Sequence, residues 1–159
     1  MRRAAMVVLM LAFVAGPALA VNLGRAEGTL VIDSKKIDLG YAYAVRKHKN
    51  QLTNRNDNTL VIVTDKPLPD GANLHEFEAS LPDGVNGVMV CLDRDSRITH
   101  VAVQHPTGMY DGGFFEGVEN YDYRPRKVEQ GISGTLSSRR IKTNTMTFSY
   151  DVSFAAETK

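Results

Sequence analysis

Ten residues, Thr145 to Phe154, constrain the fold more than any other stretch of this sequence. Met146, Phe148, Tyr150, Val152 and Phe154 alternate with Thr145, Thr147, Ser149, Asp151 and Ser153. A period of two lines the apolar set along one face of a strand, whereas a helix at 3.6 residues per turn would scatter the aromatics around its circumference. The segment is therefore a half-buried strand, and its apolar face needs a core to pack against.

The same period recurs upstream. Ile37, Leu39, Tyr41, Tyr43 and Val45 form a second stripe, with Asp38, Gly40, Ala42 and Ala44 opposite. Thr29–Asp33 precedes it and joins it through Ser34-Lys35, so residues 28–46 read as a hairpin. Leu60-Val-Ile-Val63 and Val88-Met-Val-Cys-Leu92 are apolar on both faces and predict central strands covered on each side. Asp93-Arg-Asp-Ser96 has the side chains of a turn, and Arg97–Gln104 returns from it with Val101 and Val103 inward. Residues 128–136 predict a further strand in which Gly131 and Gly134 mark a bulge or a close neighbour. A single stretch argues for helix. Asp70 would cap a run whose Leu74, Phe77 and Leu81 share a face, with Pro82 and Gly84 stopping it within about three turns. Seven or eight short strands, two of them covered on both faces, favour two packed sheets. The expectation is one all-β domain over residues 21–159, mainly an antiparallel β-sandwich of immunoglobulin-like or jelly-roll-like form, with one short helix.

Residues 1–20 predict an export signal. Arg2 and Arg3 precede an apolar run from Ala4 to Ala15, and Gly16-Pro17 breaks it before Ala18-Leu19-Ala20. A basic start, a short apolar middle and an A-x-A end make a cleavable secretory signal peptide. Extended to Val21, the apolar stretch only reaches the lower limit for spanning a bilayer, so a retained anchor is the weaker reading. Residue 21 is Val rather than Cys, which leaves no acceptor for a lipid anchor. The expected location is the periplasm or the medium, with no integral membrane segment after cleavage. The full chain of 159 residues carries a formal charge of +1; without Arg2 and Arg3 it has 17 basic and 18 acidic groups and a charge of −1. Such a balance gives no support to nucleic-acid binding. Cys91 is the single cysteine, so no intramolecular disulfide forms, and its apolar setting reads as a buried, inert thiol.

Chemistry-bearing motifs are sparse. Gly131-Ile-Ser-Gly134 lacks the spacing of a nucleophile elbow, and neither a phosphate loop nor a dinucleotide fingerprint is present. If a metal binds, Asp93, Asp95, His100 and His105 are the first candidates, although an H-x4-H spacing on a strand puts the two rings on opposite faces. No cofactor is expected. Two features suit binding instead. Met109-Tyr-Asp-Gly-Gly-Phe-Phe-Glu-Gly117, followed by Tyr121 and Tyr123, is a glycine-rich loop carrying aromatic rings that stack on a sugar or grip a partner. Tyr110, Phe114, Phe115, Tyr121 and Tyr123, helped by Arg124 and Arg126, form the candidate contact. The second is a trio of basic clusters, Arg46-Lys47-Lys49, Arg124-Arg126-Lys127 and Arg139-Arg140-Lys142, which would serve an anionic glycan, a lipid headgroup or an acidic partner if they converge.

Three stretches carry a resemblance: Gly28-Thr-Leu-Val-Ile-Asp-Ser-Lys-Lys-Ile-Asp-Leu39 with Tyr41-Ala-Tyr-Ala44, Val63-Thr-Asp-Lys-Pro-Leu-Pro69, and Thr147-Phe-Ser-Tyr-Asp-Val-Ser-Phe154. Together they resemble a group of small exported bacterial β-rich proteins of unassigned function. The resemblance implies an exported bacterial β-domain and brings no catalytic residue with it. The sequence thus predicts a non-enzymatic exported protein that binds an envelope protein or glycan. The alternative is a small secreted hydrolase or metal-dependent enzyme whose site is assembled from several strands.

Overall fold

In the computed structural model, which describes residues 21–49, 58–78, 80–112 and 118–158, the period-two segments become strands. Residues 1–20, where the export signal is expected, and the ring-bearing Phe114 and Phe115 lie outside the described residues. Ten strands are formed among those described: β1 (Arg25–Ile32), β2 (Lys35–His48), β3 (Asn58–Thr64), β4 (Gly87–Leu92), β5 (Ile98–His105), β6 (Gly108–Asp111), β7 (Tyr121–Arg126), β8 (Ile132–Ser138), β9 (Ile141–Lys142) and β10 (Thr147–Ala156). All their pairings are antiparallel.

The two-sheet sandwich is corrected to one continuous sheet. Its order is β6-β5-β4-β3-β2-β1-β10-β8-β7, with β9 pairing β10 beyond the end of β8. The sheet curls strongly into a half-barrel. Curling lets one sheet do what two stacked sheets would do, because its concave face packs against itself. Leu30, Val61, Val63, Val90, Val103, Leu136, Phe148 and Phe154, drawn from six strands, meet there in a single buried cluster. The five apolar residues expected to share a face of β10 are all in it.

Strands β3 and β4 are buried on both faces, as their unbroken apolar runs predicted. Their convex side, with Leu60, Ile62, Met89 and Cys91, is covered by Leu68, Leu74, Leu81 and Val85 from the segment joining β3 to β4. That cover is not an α-helix. Leu74–Glu78 forms a single 3-10 turn, and Asn73 rather than Asp70 caps it, its Oδ1 accepting the His75 N–H at 3.3 Å. Prolines at 67, 69 and 82 leave too few free residues for helix propagation, so the spacing of Leu74 and Leu81 dictates burial without dictating helix.

The stripe on β2 is also corrected. Ile37 and Leu39 face the concave core, but Tyr43 and Val45 pack on the convex side, while Ala42 and Ala44 take the inner positions. This strand of 14 residues crosses from one face to the other around Gly40, and small alanines suit the tight inside of the curl. Tyr43 Oη accepts the Leu68 N–H at 2.9 Å and ties down the covering segment. The β1–β2 turn falls on Asp33-Ser34, both at positive φ (46° and 75°), the conformation of a two-residue hairpin turn, one residue earlier than predicted.

Candidate functional site

The two ends of the curled sheet meet at one point and part from it. Gly112 N–H donates to Val101 O at 2.7 Å, and Tyr121 Oη donates to Tyr110 Oη at 3.4 Å, which pins β6 and β7 together over β5. From there β7 runs toward Arg126 and β5 runs back toward Ile98. Among the described residues no strand pairing joins these two segments. Had they paired, the run from β5 to β7 would be an eight-stranded closed barrel.

At the open end lies a cleft of about 550 Å³. Five cationic side chains line it: Arg46 and Lys47 from β2, Arg94 from the β4–β5 turn, Arg126 at the end of β7, and Lys127 just after it. All five are exposed. Among the described residues none is held in an ion pair. Asp93 is the single acid among the described lining residues, and its carboxylate is committed to the turn: Oδ1 accepts the backbone N–H of Asp95 at 2.9 Å and of Arg97 at 2.8 Å. Tyr123 forms part of the wall, its ring 6.1 Å from that of Phe154 and its hydroxyl donating to Ser133 O at 3.2 Å. Burial raises the pKa of that phenol, so it remains a neutral donor.

Local backbone irregularities aim these side chains. On β2, Val45 pairs with Leu60 and His48 with Asn58, so Arg46 and Lys47 together oppose Thr59. This bulge breaks the alternation that would send the two cations to opposite faces, and Lys47 takes a φ of 54° to complete it. A second bulge sits on β5, where Cys91 pairs with His100 and Leu92 with Ile98. Ser96, in the turn between, has a φ of 62°. That value closes the β4–β5 turn, in which the Ser96 N–H donates to Asp93 O at 2.9 Å. Across the cleft, Gly131 (φ 85°) lies so close to Ala156 O that any Cβ would collide with it, the close neighbour expected from the sequence.

Two of the three basic clusters thus contribute to one surface, and the third does not. Arg140 lines a separate hollow with Val31, Ser34 and Thr147 beyond the far end of β8. Within the contributing clusters, Lys49 stands with His48 and His75 in another hollow. Arg124 turns to Asp122, with Nε donating to Oδ2 at 2.7 Å.

The aromatic contact residues are divided among different surroundings. Tyr110 is half-buried with its ring 4.9 Å from that of Phe148. Tyr121 is buried and stacks on Tyr150 at 6.3 Å, and burial with the Tyr110 hydrogen bond raises its pKa far above the ordinary phenol value. Of the seven predicted contact residues, Tyr123 and Arg126 line the basic cleft.

The conditional metal set does not assemble; among the described residues no group of three metal-ligating side chains exists. Asp93 anchors its turn. Buried His100 places Nε2 2.5 Å from Asp111 Oδ1, across the edge from Cys91. His105 Nδ1 accepts from the Thr107 hydroxyl at 2.9 Å, and burial lowers its pKa against the opposing pull of Asp33. One pairing had no sequence signal at all. His48 and His75 bring their Nδ1 atoms to 3.2 Å, one ring's N–H donating to the other, which fastens the 3-10 turn to the end of β2. Arg94 was also missed as a site residue, because a basic residue in an Asp-Ser turn reads as solvated charge. Among the described residues no helix is long and apolar enough to cross a membrane. No protein-family model, curated protein or solved structure matches the chain.

Proposed function

We propose that this protein is a non-enzymatic exported binding protein of the bacterial envelope, and that it takes an anionic ligand in the basic cleft at the open end of its half-barrel. One observation carries the reading. Five exposed cations from separate segments line one cleft and, among the described residues, have no ion pair to neutralise them and one turn-committed carboxylate beside them. Cations held together in this way repel one another, at about 1 kcal/mol for two unit charges 4 Å apart in water. An anionic ligand reverses the sign of that term. In this reading the cleft carries the ligand rather than the rings of Tyr110 and Tyr121, which are spent on Phe148 and Tyr150.

The test compares dextran sulfate with uncharged dextran as ligands for the purified protein, at low and high salt. Dextran sulfate binds and is released as salt rises, since exposed charges are screened over about 10 Å at 0.1 M. Arg126→Glu weakens it about tenfold by exchanging an attraction for a repulsion. Equal binding of the two polymers, or no effect of the charge reversal, overturns the proposal.

A further inference from the structure

The basic cleft has apolar neighbours. Among the described residues three large hydrophobic side chains are exposed, Leu23, Met109 and Val128. Two of them stand at this end of the molecule. Val128 lines the cleft next to Lys127, and Leu23 Cδ1 lies against Gly131 in the cleft wall. A single exposed aliphatic residue is ordinary. Two of them flanking five cations that hold no ion pair among the described residues form an amphipathic rim. Resting on the anionic-ligand reading above, we infer that this rim docks on the surface of an anionic phospholipid bilayer, with Arg46, Lys47, Arg94, Arg126 and Lys127 against headgroup phosphates and Leu23 and Val128 entering the interface.

Charge and exposure fit that occupant better than a small enclosed anion. All five cations are exposed to solvent and none lies in a buried centre, although Arg46 Nη2 also donates to Gly131 O across the cleft at 3.4 Å. Clusters of four to eight basic residues at a membrane surface are the usual requirement for holding anionic lipid, each worth about 1 kcal/mol, or about fivefold in partitioning. Asp95 and Glu129 stand in the adjoining turns and subtract from the field without cancelling it. Apolar tips reaching the acyl boundary add the buried area that charge alone lacks. The β2 bulge then has a purpose, since it holds Arg46 and Lys47 toward the same plane.

The probe is co-sedimentation with phosphatidylcholine vesicles, with and without phosphatidylglycerol, using the wild type, Arg126→Glu/Lys127→Glu and Leu23→Asn/Val128→Asn. Circular dichroism confirms that each variant is folded. The expected result is binding only to phosphatidylglycerol vesicles, lost in the charge-reversed variant and weakened about tenfold in the Leu23→Asn/Val128→Asn variant. Vesicle binding that is indifferent to the loss of Leu23 and Val128 overturns the docking mode. Binding of dextran sulfate with no vesicle binding overturns the membrane inference and leaves the basic-cleft reading intact. Failure of both ligands removes the basic-cleft reading as well.

Discussion

Tyr150 brings a hydroxyl into the concave core beside two others. It is 2% exposed, stacks on Tyr121, and its Oη has no hydrogen-bond partner among the described residues. Burial, reinforced by the neighbouring Tyr121 and Tyr110, drives its pKa well above the ordinary phenol value, so the group stays protonated. A buried donor without a partner costs about 1–3 kcal/mol. Tyr150→Phe keeps the ring and removes the cost, so it should stabilise the fold by about 1 kcal/mol in thermal or denaturant unfolding. Tyr121→Phe gives the internal contrast, because that hydroxyl reaches Tyr110 and its loss should be neutral or harmful. If Tyr150→Phe instead destabilises, the Tyr150 hydroxyl has a partner that matters. At this scale the sequence was informative about burial and silent about pairing. Val101 and Val103 were expected inward and they are, while His100 pairs with Cys91 and takes the other face. Its approach to Asp111, and that of His48 to His75, depend on loop paths that no local pattern encodes.

Among the elements, β10 was the most legible and β7 the least. Ten alternating residues make β10 self-evident, and it became the strand that pairs β1 on one side and β8 and β9 on the other. Strand β7, Tyr-Asp-Tyr-Arg-Pro-Arg, reads as a basic loop because Pro125 and three charged residues mask its alternation. Those are the features that protect a sheet edge from stray pairing, and β7 is an edge. The bulges on β2 and β5 were equally hidden, since an extra residue in a ladder is visible only against its partner strand. The cleft they shape was therefore legible as basic clusters but not as one surface. The prediction for this scale rests on Phe148, 1% exposed, in β10 against Tyr110. Phe148→Ser removes a buried ring from the middle of the core and should cost about 3–5 kcal/mol, by analogy with truncation of buried phenylalanine. Typical domains are stable by only 5–15 kcal/mol. Denaturant unfolding reads the loss directly, and an unchanged midpoint would mean that β10 does not face the core.

For the whole molecule, the sequence dictated how much surface must be buried but left open whether one sheet or two would bury it. Alternation specifies faces, and two sheets or one curled sheet satisfy the same faces equally. What decides between them is a long-range pairing, β1 with β10, which joins the meander β1 to β6 to the meander β7 to β10 in one ladder. That arrangement implies a gradient of stability. Strands β3 and β4 lie in the interior of the sheet and are covered on both sides, on the concave face by the main core and on the convex face by Leu68, Leu74 and Leu81. Strands β6 and β7 end the sheet, and their outward residues are largely exposed. Amides of β3 and β4 should therefore exchange with solvent only through global unfolding, while those of β6 and β7 exchange through local opening at much lower cost. Native-state hydrogen exchange with increasing denaturant separates the two classes, because global exchange tracks the unfolding free energy and local opening does not. Protection of β7 equal to that of β3 would mean that the seam between β5 and β7 is closed in solution. The basic cleft would then be a surface feature of a complete barrel and not the mouth of an open one.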